Sequence, residues 1–453
     1  MGWAGDAQIF ALTGSYIAET YNFLEFWMDS VRADSGENGM SHQFTPAYIQ
    51  YEPEDEAIEH KGTSFGITWN CLAVTIPYNL YMQTGRKDIL EENLQNIYAY
   101  MDTLVSTPLK YKTVNDEKLE EPRLTGEVGM LADHLSRVVT DSTLLGNAVY
   151  INCLNQASEI AEIMGDTERA ESYRETMEKA KEAWNELFLD PETKKTRNTK
   201  GEIQDTQASY ATPLRFGVIS EENMAQVLEN YEASIAKASG TDTEGNEILP
   251  YTMTTGFNAT GNLLSALSDN GMNDTAYKLF EATDYASWLY PVTQGATSIW
   301  ERWNSYTSDK GFGGNNSMNS FNHYSFGAVG EWMMAYQLGI QADKTQPGYQ
   351  HFILQPTVGG TFTDAKGTYE SSYGTIASGW TAENGVMTSY DVTVPANTSA
   401  TLYLPAAGEV SVCEGVSSSG ETEHNNNAVQ QFELEAGTYH FEIAEGAVVV
   451  SAA

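Results

Sequence analysis

Basic residues are scarce in this chain. Lys and Arg number 24 against 62 Asp and Glu, a formal charge of −38 over 453 residues. Repulsion on that scale excludes nucleic acid and anionic membrane surfaces as partners, and it suits a neutral substrate. Cysteine is nearly absent, and Cys71, Cys153 and Cys413 are widely spaced and odd in number. Neither a disulfide framework nor a zinc cluster is readable from them. No apolar run approaches ~18 residues, so nothing in the sequence spans a bilayer. A basic n-region followed by an apolar h-region is also missing. These absences lead to the expectation of a cytoplasmic protein without metal or other cofactor.

What the sequence does have is material for a core. Apolar residues make up 41% and aromatics 11%, which rules out a disordered chain. A length of 453 residues exceeds what one core usually serves, so two domains are expected. Residues 4–340 read mainly as helices. In 166–189 the apolar positions Ala170, Tyr173, Met177, Ala180, Trp184 and Leu187 step by three and four behind Asp166 as N-cap. Further helices are expected at 8–33, 64–83, 87–106, 142–164, 206–217, 221–237, 257–270, 273–282 and 320–338. Inner stretches such as 68–85 are apolar on more than one face, as in helices walled in on both sides. Many paired helices predict an α/α toroid over 1–343, with substrate-shaping loops at 35–63, 107–127 and 238–251.

From about residue 350 the period becomes two. Val386, Thr388, Tyr390, Val392 and Val394 share a face, and after the turn residues PANTS so do Ala400, Leu402 and Leu404. Residues 344–453 are therefore expected to form an antiparallel β-sandwich, with 414–427 as a polar surface loop.

One carboxylate stands out. In GATSIWERWNS, Glu301 lies between Trp300 and Trp303, whereas an ordinary glutamate is a solvated surface acid. A Gly-rich turn then returns the chain to His323. A carboxylate, a histidine and a wall of aromatics suit a sugar pocket, since aromatic faces stack on pyranose C–H groups while polar groups address the hydroxyls. His323 alone reads as a core histidine, and Glu331 reads as structural. In MGWAGDAQIF, Trp3 and Asp6 share a helical face at i, i+3, with Asp6 alternatively an N-cap. Trp69, Asp133 and His134 are weaker candidates taken singly. GFGG (311–314) lacks the strand and the Lys-Ser/Thr of a phosphate loop and is assigned to turn geometry.

The blocks GATSIWERWNS and MNSFNHYSFGAVGEW resemble the bacterial α-L-rhamnosidases of glycoside hydrolase family seventy-eight. So do the segment TTGFNATGNLLSALSDNG ahead of them and GYQHFILQPTVGG after them, and the likeness runs along essentially the whole chain. The resemblance implies an (α/α)6 barrel followed by a β-sandwich, and inverting hydrolysis of terminal α-L-rhamnosides. It makes Glu301 the general base and His323 a pocket residue, with Trp3, Asp6, Trp69 and Asp133 as sugar contacts. Two positions depart from the family. Asn70 follows Trp69 where the family's block reads Trp-Ser-Asp-Ala, and His134 stands where tryptophan is usual. The family's general acid lies four residues before Trp3, upstream of Met1, so a barrel lacking its first helix and an impaired isolated chain are expected. The competing readings are a toroid hydrolase for another sugar, a polysaccharide lyase disfavoured by the scarcity of basic residues, and a non-catalytic rhamnose-binding remnant.

Overall fold

The computed structural model describes residues 2–47, 65–113, 116–129, 131–237, 240–312, 316–406, 408–444 and 446–453. The expected loop 35–63 and the GFGG turn lie partly outside these residues.

Helices alternate between an inner and an outer ring. The inner elements are Ala4–Ile17, the pair Ile67–Asn70 and Leu72–Thr84, then Ser142–Ile163, Gln207–Arg215, Phe257–Ser268 and Ser325–Gln337, the last passing from 3-10 through α to π geometry. Each packs on the next, and the last returns to Ala4–Ile17, which closes the toroid. Tyr21–Asp34, Asp88–Ser106, Thr167–Phe188, Glu221–Ala236 and Asn273–Glu281 are the five outer helices among the described residues. The two rings explain the two-sided apolar pattern: most residues of Leu72–Thr84, on both faces, are buried. Asp166 caps its helix as expected, accepting from the Arg169 amide at 3.1 Å.

Some boundaries differ from the pattern. The stretch 8–33 is two helices, because Ala18 is extended (φ −154°, ψ 159°) and breaks the run. The second inner element starts only at Ile67, after Gly66 at φ +85°, where a Cβ would lie 2.2 Å from the Val128 carbonyl oxygen. Only glycine tolerates both demands. The last inner element starts at Ser325 rather than 320.

The C-terminal sandwich has a five-stranded sheet in the order Val416–His424, Asn427–Leu434, Ser399–Leu404, His351–Leu354, Ile340–Ala342. Its facing six-stranded sheet runs Glu409–Ser411, Ala447–Ala452, Gly437–Ala444, Val386–Val394, Gly374–Glu383, Asp364–Ser371. Two pairings are parallel, Ser399–Leu404 with His351–Leu354 and Glu409–Ser411 with Ala447–Ala452, so the sandwich is not wholly antiparallel. Ile340–Ala342 already pairs into the sheet ahead of residue 344. The stretch 414–427, expected as a loop, contains the edge strand Val416–His424 and turns at Asn425–Asn426, both with positive φ. An edge strand with most side chains in solvent carries no alternation to read. Hydrogen bonds from Tyr16 to the Ile340 carbonyl (2.9 Å) and from Trp380 to the Gln337 carbonyl (2.8 Å) tie the sandwich to the barrel.

Candidate active site

The candidate residues gather where the inner helices begin. Gly2–Trp3 is a short strand paired with Phe44–Thr45, and Trp3 occupies the N-cap position of Ala4–Ile17. Trp3 and Asp6 therefore do not share a helical face. Trp3 stays 37% exposed and packs edge-on against Phe44. Asp6 turns inward within the first helical turn and caps no helix among the described residues. Its Oδ1 accepts from Ser325 Oγ at 3.0 Å and lies 3.1 Å from His323 Nε2. The positive end of the helix dipole suits a buried acid there. The pair joins the first inner helix to the loop ahead of the last.

Glu301 sits in a loop and is 9% exposed. The Ser320 amide donates to its Oε2 at 2.7 Å, and its own amide donates to the Ser320 carbonyl at 2.9 Å. That reciprocal pair fixes the backbone and one carboxylate oxygen together. The flanking indoles anchor the loop. Trp303 stacks on Phe326 at 4.0 Å and donates to the Thr255 carbonyl, while Trp300 packs edge-on against Phe321.

A continuous line of ring contacts crosses the site. Trp3 stacks on Phe65, Phe65 meets Trp69, Trp69 meets His134, His134 meets Phe257, and Phe257 meets His323. Gly5 makes room for it: a Cβ there would lie 2.4 Å from the Trp69 ring. Burial lowers the pKa of His134, against the opposing pull of the Asp6 and Glu301 carboxylates. Both carboxylates thus act on one imidazole.

The comparisons with known proteins agree on one architecture. Residues 1–336 match the model of the bacterial alpha-L-rhamnosidase six-hairpin glycosidase domain, and residues 339–418 match that of the bacterial alpha-L-rhamnosidase C-terminal domain. The chain belongs to the bacterial alpha-L-rhamnosidase family. It is 31% identical over 417 residues to an alpha-L-rhamnosidase of Formosa agariphila, covering 89% of this chain and 40% of that protein. With one of Streptomyces avermitilis it shares 29% over 411 residues, covering 90% of this chain and 35% of the relative. The solved structure of the Streptomyces avermitilis alpha-L-rhamnosidase complexed with L-rhamnose superposes with a TM-score of 0.79 at 26% identity, covering 98% of this chain and 38% of that one. The chain spans less than half the length of these relatives.

Within this family chain, the sequence candidates divide. Asp6 and His323 are brought into direct contact, and Trp3, Trp69 and His323 lie on one aromatic line. Asp133 is turned elsewhere. Its two oxygens accept from the Gly256 and Ala259 amides at 2.8 and 3.0 Å, capping the helix Phe257–Ser268. Burial pushes its carboxyl up to about 6 against the lowering effect of those amides. Glu331 is a structural ion-pair partner, 2.8 Å from Arg215. Phe65, Phe257 and Ser325 join the site without having been singled out in the sequence. Only the aromatic-rich blocks around the latter two were a signal. The described residues contain no group of three or more His, Cys, Asp or Glu arranged to hold a metal ion.

Proposed function

We propose that this chain carries the sugar pocket and general base of an inverting glycosidase that removes terminal α-L-rhamnose from rhamnosides. The observation that carries the reading is Glu301: a carboxylate with one oxygen fixed by the Ser320 amide, in a loop set by two anchored indoles. Among the described residues its other oxygen accepts no hydrogen bond, and in this reading it takes a proton from water as that water attacks the anomeric carbon. Inversion requires a second carboxyl group ~6.5–9.5 Å away to protonate the leaving oxygen. The Asp6–His323 pair and the aromatic line address the sugar's hydroxyls and C–H face. The choice of rhamnose rests on family membership and on relatives named as alpha-L-rhamnosidases.

The test is a panel of nitrophenyl glycosides, whose leaving group departs without an acid. Release from the α-L-rhamnoside alone is the expected result. Faster release from a different glycoside would move the reading to another sugar. Rhamnose binding with no release from any substrate would make the chain a binding module.

A further inference from the structure

His134 occupies the middle of the aromatic line. Its position is tightly set. The His134 carbonyl accepts from the Phe257 amide at 2.8 Å, and a Cβ on Gly256 would lie 2.1 Å from that carbonyl oxygen. Asp133 just before it caps the same helix, and Leu135 just after it has φ +61°. The half-buried ring is held edge-on between Trp69 at 5.9 Å and Phe257 at 5.3 Å. Among the described residues neither of its ring nitrogens has a hydrogen-bond partner.

The other polar groups of the site are committed differently. His323 is spent on Asp6, with its second nitrogen facing the Ser325 amide at 3.5 Å. Asp6 and Glu301, when ionised, can only accept. The Trp69 indole nitrogen is a donor, but it is buried against Gly5. A sugar hydroxyl both donates and accepts, and an imidazole offers one site of each kind. Among the described residues of this ring line, His134 is an uncommitted donor–acceptor.

We infer that His134 hydrogen-bonds one hydroxyl of the bound sugar and is a specificity-determining contact of this chain. The inference rests on the rhamnosidase reading for the identity of that sugar. A tryptophan at this position would present a flat apolar face, whereas the histidine reads the presence of a hydroxyl. A buried group built to hydrogen-bond a hydroxyl discriminates strongly against a ligand lacking it.

The experiment is calorimetric titration of the full 453-residue chain with L-rhamnose and each of its monodeoxy analogues, for wild type and His134→Phe. The phenylalanine keeps the ring contacts and removes both nitrogens. It is expected to weaken rhamnose roughly five- to tenfold, and to make no difference for the single deoxy sugar that lacks the partner hydroxyl. His134→Gln, which restores a donor and an acceptor, should recover part of the loss, and it carries the test if His134→Phe melts early. An equal loss for every analogue, or no loss at all, overturns the inference. If wild type ignores rhamnose but binds another hexose with the same one-hydroxyl dependence on His134, the rhamnose reading falls and the role of His134 stands.

Discussion

Asp6 Oδ1 lies 3.1 Å from His323 Nε2, and this contact joins the first inner helix to the loop ahead of the last. It closes the ring of helices at the level of the candidate site. Removing the imidazole leaves a buried carboxylate with one fewer partner. His323→Ala should therefore lose ~1–3 kcal/mol of both stability and rhamnose affinity. Trp3, at 37% exposure, has less to do with the core. Trp3→Ala should cost a similar ~1–3 kcal/mol in affinity while leaving the melting temperature nearly unchanged. Thermal melts beside calorimetry separate the two, and a Trp3 variant that melts early with unchanged affinity would count against its place in the site.

Glu301→Gln keeps the shape and can still accept from the Ser320 amide, but it cannot take the water proton. Hydrolysis should fall by at least ~10²-fold with rhamnose affinity nearly intact. Steady-state rates together with a rhamnose titration check this. Retention of more than about a tenth of the activity would place the base elsewhere.

Gly5→Ala tests the aromatic line from the other side. The added methyl would lie 2.4 Å from the Trp69 ring, and both groups are in the packed interior. Displacing the indole should cost ~1–3 kcal/mol of stability and weaken rhamnose, since Trp69 supports both Phe65 and His134. A variant with wild-type melting and affinity would mean that the ring moves freely, against this packing.

Asp133 gives a pH signature. Burial raises its carboxyl to about 6, from the ordinary value of 3.8. Between those values the folded state holds a proton that the unfolded state has released, so stability falls as pH rises. The contribution is fully present below about 4 and lost as pH passes through about 6. The stability difference between wild type and Asp133→Asn should therefore decline across that window and level off above it. Denaturant melts at a series of pH values measure it, and a flat difference would contradict the assignment.

Much of this was legible in the residues, and the rest fails for definable reasons. The Asp166 cap and the period of Thr167–Phe188 are local, so spacing alone revealed them. The change to period two likewise announced the sandwich, whereas the polar edge strand Val416–His424 offered no apolar face to detect. Glu301 was conspicuous because indoles flank it in sequence. Asp6 was misread as a helical neighbour of Trp3, because Trp3 pairs with Phe44 in a short strand ahead of the helix and Asp6 instead meets Ser325 and His323, distant in sequence. Asp133 caps a helix that begins at Phe257, and no local pattern reports a cap supplied from so far away. Flanking residues and the family resemblance nominated the candidates, and ring closure decided their partners.

In the proposed reaction Glu301 activates water for attack on the face of the sugar opposite the leaving group. Proton NMR of nitrophenyl α-L-rhamnoside during the first turnovers tests it most directly, before mutarotation mixes the anomers. β-L-rhamnose should appear first, and Glu301→Gln should suppress it. Initial release of the α-anomer would contradict it, because retention requires a covalent intermediate and a nucleophile in place of a base.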